Sequence, residues 1–157
     1  MRRSGRGGRT CRSWLRGPSA SDLEGTAPVL FRATIIWFLL GFLAILNGAV
    51  REAFIRPAVG EQAGHVISTL IFCVVILAVA VVSLGWIGSA SRRDALTVGI
   101  VWVLLAFSFE FLAGHFLFGN SWETLLAEYD ILRGRVWVLV PFTSLLAPVW
   151  AYRMRRL

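Results

Sequence analysis

Four long apolar runs divide the chain, and polar positions collect almost entirely between them. The first reads LFRATIIWFLLGFLAILNGAV over about residues 30–50, and the second reads HVISTLIFCVVILAVAVVSLGWIG over about 65–88. The third covers about 96–118 and the fourth about 136–152. Each falls within the roughly 17–25 residues that a helix needs to cross the hydrocarbon core of a bilayer. None shows the strict alternation of a half-buried strand. The pattern predicts an all-α polytopic membrane protein with four transmembrane helices.

The intervening stretches fill in the outline. Residues 1–28 are rich in Arg, Gly and Ser without an apolar period, and are expected to form a disordered tail ahead of a membrane unit over 29–157. A signal peptide would need a shorter apolar run closer to MRRSGRGGR, so cleavage is not expected. After the first run, REAFIR keeps helical character until Pro57, and PAVGEQAG is expected to be a loop. SASRRDA is a tight connection with Asp94 at the helix N-cap. Between the third and fourth runs, NSWETLLAEYDILRGR places Trp122, Leu125, Leu126, Tyr129 and Leu132 on one helical face, with Glu123, Ala127 and Asp130 opposite. Asn120 supplies a cap and Glu123 stands at N3, so one short amphipathic interfacial helix is expected here. Its acidic polar face suits a cap over the protein's own outer mouth better than a lipid-binding surface. Pro141 and Pro148 are expected to bend the fourth span.

Composition agrees with the pattern. Hydrophobic residues make up 57% and charged residues only 16% of the 157, well below the quarter or so of a soluble domain. The net charge of +7 would fit nucleic acid, but all sixteen basic residues are Arg and seven fall within the first thirty-two positions. Such placement fits the positive-inside rule. If the spans alternate, twelve Arg lie on one side, and only Arg51, Arg56, Arg133 and Arg135 lie on the other with most of the acids. Both termini are therefore expected in the cytoplasm of a bacterium, with the chain in the inner membrane. The bilayer is the expected partner, together with a second copy of the chain or another membrane protein, and nucleic acid is not. Cys11 and Cys73 form no disulfide framework or CxxC metal site, and the sequence leaves any cofactor or metal unknown.

In that topology Asn47, Arg51, Glu52, His65, Glu110 and His115 gather in the outer half, and they are the candidate polar site. Glu110 is the deepest carboxylate. A charge within a spanning helix costs about 3 kcal/mol by insertion scales, so it marks a function or a buried pairing. Arg51 is its nearest partner by depth, with His65 and His115 as titratable alternatives. Glu110 and His115 stand roughly 140° apart around an ideal helix and share a face only if the helix distorts near Gly114. Asn47 and Arg51 share a face, and Glu52 to Arg56 is an acid-to-base pair in the favourable order. His65, Thr69 and Cys73 form one stripe, but His65 and Cys73 are roughly 12 Å apart along the axis, too far for one metal ion.

The strings NGAVREAFIRPAVGEQAGHVIS and FEFLAGHFLFGNSWETLLAEYDILRGRVW resemble those of small, uncharacterised four-helix bacterial inner-membrane proteins, over about Val29 to Tyr152. The resemblance implies the architecture and lends nothing to mechanism. No GxxxxGK, GxSxG, HExxH or GxGxxG string is present. Three classes follow in order. The first is a structural or accessory membrane protein whose polar residues hold helices together. The second is a transporter or channel for a cation, proton or small solute, using Glu110 and His115. The third is a membrane enzyme acting at the periplasmic face.

Overall fold

The computed structural model describes residues 20–112, 115–116, 119, 121–123 and 136–155, and among them every regular element is helical. Helix α1 spans Ala20–Val50 and passes through a π-helical turn, Arg51–Ile55, into the short α2, Arg56–Val59. Helices α3, Glu61–Ile87, and α4, Arg92–Leu112, follow, and α5 spans Leu139–Met154. Three stretches are long and apolar enough to cross a membrane: Thr26–Val59, Glu61–Ile87 and Arg92–Leu112. The fourth apolar run forms α5, which at 16 residues is shorter than the ~20 of a full crossing.

The boundaries differ from the apolar pattern in four places. Helix α1 begins at Ala20, so residues 20–28, expected to be disordered, continue it. Extending an established helix backwards costs little once its nucleus exists, although Pro28 removes a backbone donor and its ring crowds the preceding turn. Residues 1–19 lie outside the described residues. At the other end Pro57 does not stop the helix, because the π-helical turn widens the backbone just ahead of it. A wider turn relieves the crowding of the Pro ring against the preceding carbonyls. The expected PAVGEQAG loop shrinks to Gly60, whose φ of 87° and ψ of 171° belong to a region open to glycine. Finally, the α4 cap is Ser91 and not Asp94. Ser91 Oγ accepts from the Asp94 amide at 3.1 Å, and Asp94 Oδ2 accepts from the Ser91 and Ala90 amides at 2.9 and 3.1 Å. This is a reciprocal capping box with its acid at N3.

Helix α5 packs along α3 and α4, and α1 packs across the same pair. Their shared core is apolar, with Leu40, Phe72, Ile76, Leu84, Val98 and Trp102 among its buried members. Small residues set the closest approaches: a Cβ at Gly99 of α4 would collide with the Leu145 carbonyl of α5. Trp102 donates from Nε1 to the Ala33 carbonyl at 2.9 Å, a buried tie between α4 and α1. Two arginines close the C-terminal end of α3. Arg32 donates to the Trp86 carbonyl at 2.9 Å, and Arg155 donates to the Val81 and Val82 carbonyls at 3.1 and 3.4 Å. The Trp86 carbonyl is one of the orphan carbonyls of the helix end, Val81 and Val82 lie in the turn before it, and a cation here also meets the negative end of the helix dipole. The contacts fix successive long helices in alternating directions, with Arg32, Arg92, Arg93, Arg153 and Arg155 at one end of the molecule.

Candidate functional site

The opposite end carries two polar centres. The first is built where α1, the π-helical turn and the start of α3 meet. Asn47 donates from Nδ2 to the Ser68 carbonyl at 3.1 Å, which ties α1 to α3. One turn further on, Arg51 donates from Nε to Glu52 Oε1 at 3.2 Å and sets Nη1 at 3.3 Å from Nδ1 of His65. Glu52 also accepts from Arg56 at 2.7 Å, and Arg56 reaches Glu61 at 3.4 Å. The result is a continuous line from His65 through Arg51, Glu52 and Arg56 to Glu61. The Arg51, Glu52 and Arg56 side chains keep 32%, 48% and 49% exposure, so each pair is a solvent-screened surface pair. Below them the His65 carbonyl accepts from the Ser68 and Thr69 hydroxyls at 3.0 and 2.8 Å. The buried hydroxyls on this stripe are thus satisfied by their own helix.

The second centre is Glu110, partly buried near the C-terminal end of α4. Its Oε1 accepts a 2.5 Å hydrogen bond from Nε1 of Trp137, which stands in the turn leading into α5. The pair borders a cavity of about 270 Å³ walled by α1, α3, α4 and α5. Its lining is apolar apart from Glu110, the Trp137 indole and Ser144, and it includes the rings of Trp37, Phe72 and Phe109. Trp37 and Phe109 meet edge to face with centroids 6.0 Å apart, joining α1 to α4 across one side of this space.

The six sequence-derived candidates therefore fall in three places. Asn47, Arg51, Glu52 and His65 come together. Glu110 sits at the cavity with Trp137, and Arg51 makes its contacts with Glu52 and His65 instead of Glu110. His115 follows the end of α4 in π-helical backbone, its ring stacked on Trp122 with centroids 4.2 Å apart and edge-on to Phe116 at 5.0 Å. Phe111 stacks on the same indole, so Trp122 lies back against the end of α4. Most of the expected amphipathic helix, residues 124–134, lies outside the described residues. Trp137 is the residue that sequence reasoning missed. It reads as one more aromatic at a span end, and nothing local marks its partner 27 positions earlier.

Among the described residues no three His, Cys, Asp or Glu side chains form a metal-ligand group. Comparison with protein-family models, with curated proteins and with solved structures gives no match.

Proposed function

We propose that the chain is a four-span protein of the bacterial inner membrane, with both termini cytoplasmic and a structural or accessory role. The observation that carries this reading is the line from His65 to Glu61, in which charged side chains at the junction of α1 and α3 bond to one another. Intramembrane and interfacial polar groups used in this way hold helices together. The lipid-facing surface supports the membrane assignment: Phe31, Phe38 and Ile45 recur every seven residues on α1 and are 65–70% exposed. With its proline at N3, α5 is the short fourth span, and the arginine end of the molecule faces the cytoplasm by the positive-inside rule.

Topology is tested with single cysteines in a background lacking Cys11 and Cys73. A cysteine at Ser91 is expected to react with a membrane-impermeant maleimide only after the cytoplasmic face is exposed. Labelling from the periplasmic side of intact cells would reverse the orientation. The structural role is tested by Arg51→Gln, which cuts the line between His65 and Glu52 and is expected to lower the unfolding temperature. An unfolding temperature equal to wild type would remove the support for that role.

A second reading is favoured by one observation. A carboxylate bordering a cavity inside packed apolar helices is the arrangement of a carrier for a cationic solute, and intramembrane ionisable groups mark such pathways. It centres on Glu110 with Trp137, while His115 is engaged with Trp122.

A further inference from the structure

The arginine end of the molecule holds two guanidinium groups on one exposed face of α3. Arg155, just past the end of α5, reaches the Val82 carbonyl at 3.4 Å, and Arg32 of α1 reaches the Trp86 carbonyl at 2.9 Å. Val82 and Trp86 are i and i+4, so the two groups are anchored on successive turns of one face, at points about 6 Å apart along the axis. Gly85 keeps the space open: a Cβ there would meet Nη1 of Arg155, so this guanidinium lies directly on bare backbone. The Arg32 guanidinium carbon lies 5.7 Å from the centroid of the Trp86 ring, a cation held over an aromatic face.

The pair has donors to spare. A guanidinium carries five N–H donors, and Arg32 and Arg155 each commit a single nitrogen to carbonyls. Both residues are exposed, and neither makes an ion pair among the described residues. Among the described side chains at this end the acid is Asp94, whose Oδ2 accepts two backbone amides, while Arg92, Arg93 and Arg153 add further positive charge. Two planar forks presented side by side with no carboxylate between them suit a phosphate, whose oxygens accept paired bonds from arginine.

The surface next to the pair says what carries that phosphate. Ile71, Val74, Ala78, Val82 and Trp86 recur at i, i+3, i+7, i+11 and i+15 and are all exposed, so an apolar stripe runs along α3 up to the arginines. From Ile71 to Val82 it covers about 16 Å, close to half of the ~30 Å hydrocarbon core and hence to the depth of one leaflet. A free phosphate or an acidic peptide would use the arginines and leave the stripe. A phospholipid uses both, and basic sites between spanning helices suit anionic head groups.

We propose that an anionic phospholipid binds here, with its phosphate held between Arg32 and Arg155 and one acyl chain lying along the Ile71–Val82 stripe of α3. This site lies outside the structural reading above and needs only that α3 crosses the bilayer.

The test uses the full-length protein, purified in a non-ionic detergent and freed of lipid, with bound lipid counted by native mass spectrometry. Dioleoylphosphatidylglycerol is expected to bind saturably and to raise the unfolding temperature, as a ligand of the folded state does. Dioleoylphosphatidylcholine, whose choline neutralises the phosphate, is expected to bind about tenfold more weakly, and glycerol 3-phosphate, which lacks the chains, not at all over the same concentrations. Arg32→Gln and Arg155→Gln are each expected to weaken phosphatidylglycerol binding about tenfold, the loss of one charge-assisted contact. Because both arginines also bond α3 carbonyls, Gly85→Ala provides an arm that keeps every charge: its methyl pushes aside only the end of the flexible Arg155 side chain, and it is expected to weaken binding by a similar factor while the lipid-free protein unfolds near the wild-type temperature. The double variant Arg92→Gln, Arg93→Gln removes two charges from the same end and is expected to leave the affinity nearly unchanged. An equal loss in that variant would make the attraction a diffuse surface field and overturn the site. Equal affinity for phosphatidylcholine overturns the selection by charge, and glycerol 3-phosphate binding as tightly as the lipid overturns the role of the stripe. Undiminished binding by both glutamine variants and Gly85→Ala overturns the location, and absence of saturable phosphatidylglycerol binding by wild type overturns the proposal outright.

Discussion

Trp102→Ala is expected to lower the stability of the folded protein by about 3–5 kcal/mol, the range for emptying a site filled by a large aromatic side chain. Trp102 is 1% exposed at the centre of the apolar core, and its indole N–H bonds the Ala33 carbonyl 69 positions away. Van der Waals packing matters more than usual in a membrane protein, because lipid tails are as apolar as the core and add no hydrophobic drive between helices. Removing the ring therefore takes contacts from both α1 and α4. Trp102→Phe separates the two contributions, since it keeps most of the ring and deletes the donor. It is expected to cost about 1 kcal/mol, as for one buried hydrogen bond. Thermal unfolding in detergent measures both. A Trp102→Ala protein that unfolds at the wild-type temperature would show that α1 is not held through this residue.

Apolar runs told most about the helices and least about their ends. A run of roughly twenty apolar residues leaves the backbone few alternatives in a bilayer, because every amide must find a partner within its own segment. Hence α3 and α4 fall close to their expected positions. The ends answer to local chemistry that a hydropathy pattern does not see. The π-helical turn carries the chain past Pro57, and Ser91 takes the capping role expected of Asp94. At the candidate site, Glu110 was legible because a carboxylate on an apolar helix has to be accounted for wherever it points. Its partner was not, because depth along a helix gives height and says nothing about azimuth. Arg51 has the right height for Glu110, yet it shares a face with Asn47, and Asn47 is bonded to α3. That shared face directs Arg51 to His65. Trp137 and the cavity depend on how α5 sets against α4, which no single segment encodes.

Two glycine substitutions of identical chemistry are expected to act in opposite directions, and the difference measures the contact that places α5. At Gly48 of α1 a Cβ would meet no atom within 4 Å, so Gly48→Ala gains helix propensity alone, about 1 kcal/mol in an unhindered helix interior. At Gly99 of α4 the added carbon collides with the Leu145 carbonyl, and a backbone atom of a packed helix cannot step aside as a flexible side chain does. Gly99→Ala is therefore expected to destabilise by about 1–3 kcal/mol despite the same gain in propensity, and Gly99→Leu by more. The effect extends to the site. Gly99, Ala106 and Glu110 recur at i, i+7 and i+11 on one face of α4, and Glu110 stands about 16 Å along the axis from Gly99. Leu145 adjoins Ser144 on the cavity wall, so separating α5 from α4 at Gly99 also shifts that wall and the Trp137 indole against Glu110. Unfolding temperatures of the three variants test the contact. Stabilisation by Gly99→Ala comparable to that by Gly48→Ala would mean that the helices do not meet at this glycine.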